Sequence, residues 1–205
     1  TCALPISGHA HCDALSFELF VNGKPLIVNS GTYQYQSKLR SYFRSTKAHN
    51  TLVINEHEQS ECWAEHRVGR RIKNIRAEIR NNTCTGSFIN IYGEMHTRSI
   101  KFENNKFGIS DFVKSKNLNS VEGFLHIDPE YDCTKIDENQ VLIVEKNNGK
   151  PLFNIRFTEI NSLIIHNNDD YSYYSEKMGE LLHCTTLNYT WRNNCTEQEI
   201  IIEAL

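Results

Sequence analysis

The chain has 205 residues, 39% of them hydrophobic and 23% charged, with a formal net charge of −3 at pH 7. That length can bury a sizeable core, and the composition is that of a globular domain rather than a disordered segment. The slight acidity argues against a general nucleic-acid binder, and no stretch approaches the ~20 apolar residues of a membrane-spanning helix.

Residues 1–8 read as an irregular lead-in, with Pro5 and Gly8 as breakers. The chain begins at Thr1 without a Met, so it reads as a piece of a longer protein, and no leader is visible. Residues 16–21 are expected to form a strand. Asn22-Gly23 is a strong two-residue hairpin signal, because both turn positions tolerate positive φ. The return strand is expected at 26–29, with Pro25 marking its start. Asn29 then falls at the end of the hairpin away from the turn, near where the first strand begins. Residues 32–48 have no clean period, and a connection of that length inside a domain is usually functional or mobile. A strand is expected at 51–54, then a basic strand at 70–80 with Ile75, Ala77 and Ile79 alternating.

Further strands are expected at 87–91, 99–103, 106–113, 121–127, 140–145, 151–157, 162–165, 180–187 and 197–203. Asn104-Asn105, Asn147-Asn148-Gly149 and Asn167-Asn168-Asp169-Asp170 separate them, all good turn formers. No long amphipathic helix, internal repeat or low-complexity linker is visible. Many short strands with turn punctuation predict one all-β domain, an antiparallel sandwich of two packed sheets over residues 1–205. Seven Cys are present, an odd number without a CxxC pair. A zinc ribbon or a disulfide scaffold is therefore not expected, and the thiols read as mostly free and partly buried.

The chemistry concentrates in two places. In GHAHCDALSFELF, starting at Gly8, His9, His11 and Asp13 alternate. In an extended chain these three share a face. A second His, His49, lies in STKAHNT just before the strand at 51–54. Imidazole nitrogens and carboxylate oxygens are common metal ligands, and His is also a common acid or base near neutral pH. His11, Asn29 and His49 thus form a candidate metal set. Asn29 is neutral and a weak zinc ligand, and Asp13 could stand in for it. The alternative is that His11 and His49 hydrogen-bond in a polar seam. Tyr35, Tyr42 and Arg44 in the long connection suit a sugar-acid site, aromatic faces for sugar rings and guanidinium for carboxylate. Tyr42 could equally anchor the connection to the core. Arg67, Arg70, Arg71, Lys73 and Arg76 form a basic run that reads first as a solvated strand face. His57, His66, His96, His126, His166 and His183 read as structural.

The block GHAHCDALSFELFVNGKPLIVNSGTYQYQ, followed by YFRSTKAHNTLVINEHEQSE, resembles the C-terminal β domain of heparinase II/III-type polysaccharide lyases. The likeness continues more loosely through GEMHTR and FLH. It implies an acidic, uronic-acid-containing polysaccharide as substrate and cleavage by β-elimination, with this domain lining one wall of the cleft. His9 would face the substrate as the catalytic residue, with zinc at His11, Asn29 and His49, where the middle ligand is normally Asp. A helical toroid domain, absent from this chain, would precede the β domain and be its partner in the cleft. The isolated domain would then be inactive, and the family suggests a periplasmic or extracellular setting. The alternative function is a metal-stabilised carbohydrate-binding or scaffolding module without catalysis. A cupin-like metal enzyme is weaker, because its downstream Glu and His spacing is not met.

Overall fold

Asn22 and Gly23 adopt φ of 52° and 77°. A two-residue hairpin turn requires such a left-handed pair, and here it joins β1 (Leu19–Val21) to β2 (Lys24–Ile27). The same device recurs at Asn81-Asn82 and Asn104-Asn105, where all four residues have positive φ. The computed structural model of the chain describes residues 9–205. The lead-in expected at 1–8, with Cys2, lies outside the described residues.

After β2 the chain passes through α1 (Arg40–Arg44), a 3-10 turn (Thr46–Ala48) and β3 (Leu52–Ile54). A short ribbon follows, β4 (Cys62–Trp63) and β5 (Arg67–Val68). The longer strands are β6 (Lys73–Arg80), β7 (Thr83–Ile89), β8 (Met95–Glu103), β9 (Lys106–Lys114) and β10 (Val121–Ile127). They continue with β11 (Tyr131–Asp137), β12 (Gln140–Glu145), β13 (Pro151–Phe157) and β14 (Ile160–Asn167). A second ribbon, β15 (Tyr173–Tyr174) and β16 (Leu182–His183), precedes β17 (Thr185–Trp191) and β18 (Glu197–Ala204).

Two antiparallel sheets carry the fold. The six-stranded sheet runs β1-β2-β10-β17-β14, with β3 also pairing β10. The eight-stranded sheet runs β11-β12-β13-β18-β9-β8-β7-β6. One core joins them. Leu26, Ile27, Leu125, Leu187 and Tyr189 from the first sheet meet Ile109, Val141, Ile155, Phe157 and Ile200 from the second. The Phe157 and Tyr189 rings lie 4.8 Å apart across that core. Each such side chain contributes roughly 1.5–3 kcal/mol when fully buried. The fold is the all-β sandwich read from the sequence.

The differences are local and have physical causes. The first strand begins at Leu19, not residue 16. Leu15 takes φ 61° and the Ser16 N–H donates to the Asp13 carbonyl, so the chain turns there. The alternation argument for His9, His11 and Asp13 therefore does not apply, because this segment is not extended. Residues 180–187 divide between β16 and β17. β11 escapes the sequence pattern because only Tyr131 on it is fully buried. The long connection at 32–48 is ordered by α1 and the 3-10 turn.

Candidate active site

Arg44 organises the loops at one end of the six-stranded sheet. Its side chain is 2% exposed. Nε donates to the Ala10 carbonyl at 3.1 Å, Nη1 to Ala64 at 2.8 Å and Nη2 to Arg67 at 2.9 Å. The Arg44 carbonyl in turn accepts the Cys12 N–H at 2.9 Å. One guanidinium thus ties the segment around His9 and His11 to α1 and to the β4–β5 ribbon. Buried donors must find acceptors, and here the acceptors are carbonyls of the loop at Ala10 and of the β4–β5 ribbon. Tyr42 is likewise buried, and its hydroxyl donates to the Tyr171 carbonyl at 2.9 Å. Tyr42 and Arg44, expected to meet substrate, both spend their polar groups on backbone inside the fold.

The exposed rim of this arrangement is His9 and Tyr35. His9 Nδ1 and the Tyr35 hydroxyl share a hydrogen bond of 2.6 Å, and the rings meet edge to face. His66, carried between β4 and β5, also packs against Tyr35, with centroids 5.5 Å apart. The Arg40 guanidinium stands 4.9 Å from the Tyr35 ring centre. Arg40 Nη1 then donates to His11 Nε2 at 3.0 Å. A continuous polar line therefore runs from solvent at His9 through Tyr35 and Arg40 to His11. Gly31, just upstream of Tyr35, has φ +81°, and a Cβ there would overlap the Ser175 carbonyl. Only glycine admits the close approach of this loop to the β15–β16 ribbon.

Inward of the rim, His49 and His126 are fully buried and His11 partly so. The rings of His11 and His49 lie 5.2 Å apart. Burial, then the Arg40, Arg44 and His9 charges, lower the His11 pKa to about 4. Burial also holds His49 well below the ordinary imidazole value, with the His11 and His126 charges acting in the same direction. The Phe43 carbonyl favours the charged form slightly, but neither ring nitrogen of His49 makes a hydrogen bond. His126 donates from Nδ1 to Asn50 Oδ1 at 3.1 Å, which leaves Nε2 as a buried lone pair without a partner. Burial lowers its pKa to about 3.

A second buried network supports the segment from below. Arg98 on β8 pairs with Asp111 on β9 through Nε at 2.8 Å and Nη2 at 2.9 Å. Its Nη1 donates to the carbonyls of Leu15 and Asn50. His96 Nε2 bonds the same carboxylate at 2.7 Å. Burial pushes the Asp111 pKa up, but Arg98 and His96 outweigh it and hold the carboxyl at about 2. Asn50 donates to the Phe17 and Val28 carbonyls at 2.8 and 2.9 Å.

The residues fit a metal only in part. His11 and His49 are adjacent, and His49 has free buried nitrogens, as a ligand would. Asn29 fits poorly: its Oδ1 accepts the Gly31 N–H at 3.0 Å, and it lines a separate acidic cavity with Glu18, Asp128 and Glu176. Asp13 is exposed. Among the described residues, no three His, Cys, Asp or Glu side chains gather where one ion could bind them together.

Sequence reasoning placed His9 and Tyr35 in the site without pairing them. It missed Arg40 altogether and took His66 for structural. Arg98 and Asp111 left one readable signal, the alternation of His96 and Arg98 on one face of β8. The basic run lies on β5, β6 and their junction, where β6 is exposed throughout and Arg70 pairs with Glu61 at 3.2 Å. No helix among the described residues is long and apolar enough to cross a membrane.

Comparison with known proteins bears on the fold and the family. The family model described as "Heparinase II/III-like, C-terminal" matches residues 1–182. No curated protein sequence matches the chain. Among solved structures, the heparan sulfate lyase HepC from Pedobacter heparinus superposes with a TM-score of 0.70 at 19% identity, over 96% of this chain and 31% of that one. A heparinase III structure gives 0.71 at 18% identity, over 96% and 30%. The chain thus spans about a third of the length of these structures, and the likeness at this identity concerns the fold. Together with the family match it leads to one assignment: this chain belongs to the heparinase II/III-like family and corresponds to its C-terminal domain.

Proposed function

We propose that this domain forms one wall of the cleft of a polysaccharide lyase that cleaves uronic-acid-containing polysaccharides by β-elimination. The reading rests on the family and, within the chain, on one observation: the exposed 2.6 Å hydrogen bond between His9 and Tyr35. β-Elimination removes the proton next to the uronate carboxylate and expels the glycosidic oxygen. It needs a base, a group that neutralises the carboxylate, and an acid for the leaving oxygen. A His–Tyr pair in contact can hold a proton at Nδ1 or at the phenol oxygen and pass it between them. His9 is the catalytic residue in this proposal, and Tyr35 binds substrate and shares the proton. Arg40 and His66 fix the Tyr35 ring. Tyr42 and Arg44 act on the substrate only through the loops they hold.

Zinc belongs to the proposal as a structural ion held by His11 and His49, with Asn29 as a weak third ligand. It would supply a fixed positive charge behind the rim and restrain the segment carrying His9. The opposite wall, in the helical partner domain, would complete the acid–base set.

The experiment is a turnover assay on heparan sulfate, chondroitin and alginate, reading the ultraviolet absorbance of the unsaturated uronate product. The full-length protein is expected to turn over at least one of them, and this domain alone none. Orienting the sugar between two walls is worth roughly 7–11 kcal/mol of barrier. Turnover by the isolated domain would show that the machinery is misassigned. Silence of the full-length protein on every uronate polymer, with clean binding of one, would favour a non-catalytic carbohydrate-binding module.

A further inference from the structure

Two thiols meet directly behind the rim. Cys12, between His11 and Asp13, is 2% exposed, while Cys62 on β4 is partly exposed. Their sulphurs lie 3.6 Å apart, and both are free thiols. Among the described residues no other thiol hydrogen-bonds to a thiol. The two are far apart in sequence, so their contact is made by the fold. Arg44 grips the Ala10 carbonyl on one side and the Trp63, Ala64 and Arg67 carbonyls on the other. The backbones carrying both sulphurs are thus held in register by the same side chain.

We propose that Cys12 and Cys62 are a disulfide-forming pair, an oxidation site that covalently staples the His9–His11 segment to the β4–β5 ribbon. A bonded pair needs the sulphurs at about 2.05 Å, so they must close by about 1.5 Å, within the reach of side-chain rotation. The order of events follows from exposure. The Cys62 thiolate, near the Arg44 and Arg40 charges, attacks one sulphur of a disulfide oxidant and releases the first oxidant thiol. The Cys12 sulphur, buried against Cys62, then displaces the second oxidant thiol and closes the bond. The two protein thiols lose two electrons and two protons, and the oxidant disulfide gains them as two thiols. The ribbon carries His66 against Tyr35, so the staple fixes the backing of the rim. This inference does not depend on the lyase reading.

The test uses the full-length protein, reduced and then exposed to glutathione disulfide. Remaining thiols are blocked under denaturing conditions and the digest is read by mass spectrometry. The expected result is a peptide linking Cys12 to Cys62, lighter by two hydrogens and split by reductant. The unfolding temperature of the domain should rise by roughly 5–10 °C on oxidation, as for a closed loop of this size. Cys62→Ser should lose the cross-link and the rise, whereas Cys84→Ser, at an exposed thiol, should keep both. If Cys62→Ser does not fold, the wild-type digest alone decides. Recovery of Cys62 as a stable glutathione adduct, or of both thiols unoxidised, would overturn the proposal. A cross-link without any rise in unfolding temperature would overturn the staple.

Discussion

The rim and the base of this site each hold a histidine in a hydrogen bond, to opposite ends. At the rim, His9 and Tyr35 bond to each other and face solvent. At the base, His96 and Arg98 converge on Asp111 with no exposure to water at His96. The base groups are heavily partnered: Arg98 satisfies a carboxylate and two loop carbonyls at once, and only Nδ1 of His96 lacks a partner. At the rim the hydrogen bond between His9 and Tyr35 is itself exposed. What separates them is partner count and burial. A buried, heavily partnered network positions a backbone, and an exposed pair is where chemistry with a ligand can occur.

Removing a base residue should therefore cost stability, and removing a rim residue should not. Asp111→Ala leaves the Arg98 guanidinium buried and unpaired, at a cost of about 3–5 kcal/mol. Urea unfolding of the variant reads this directly. A loss below about 1 kcal/mol would mean that water or a shifted side chain satisfies Arg98 and that the base is looser than described.

Acid should destabilise the fold through its buried imidazoles. The folded-state pKa of His126 is about 3, against an ordinary value of 6.5. Unfolded chains then bind the proton first as pH falls. The stability from burying neutral His126 is complete above about pH 6.5 and is lost progressively down to about pH 3. His11, at about 4, adds in the same direction. The unfolding temperature should fall steadily over that window, and His126→Gln should flatten the slope. An unchanged slope in His126→Gln would remove His126 as the source.

The smallest effect is the most specific. Asn29→Asp places a charged oxygen at the same length, so zinc content by elemental analysis should rise over wild type. His11→Ala with His49→Ala should remove the metal. Equal, negligible zinc in all three would dispose of the metal proposal without touching the rim.

The sandwich was legible because its strands obey local rules. Asn22-Gly23 sets a two-residue turn, and the boundaries of β10, β12 and β13 follow runs of Val, Ile, Leu and Phe. β11 was not legible, because its exposed side is wide and its apolar residues few. The site was legible only as a set of residue types. His9 and Tyr35 are far apart in sequence, and nothing local pairs them. Arg40 and Arg44 look alike along the chain, and both are buried and donate to carbonyls of the β4–β5 ribbon, yet of the two it is Arg40 that stands against Tyr35 and His11. Asn29 was expected beside His11 on hairpin geometry. Its amide oxygen accepts the Gly31 N–H, a bond that hairpin geometry does not announce.

The central claim is that the rim performs the chemistry and the base only holds it. Its most direct test is the turnover of full-length His9→Ala on the polysaccharide that the wild type cleaves, measured beside its unfolding temperature. Loss of a general acid–base residue should lower kcat by ~10²–10⁴-fold, while the unfolding temperature stays at the wild-type value. Turnover undiminished in a folded His9→Ala protein would contradict the account and remove the rim pair from the mechanism.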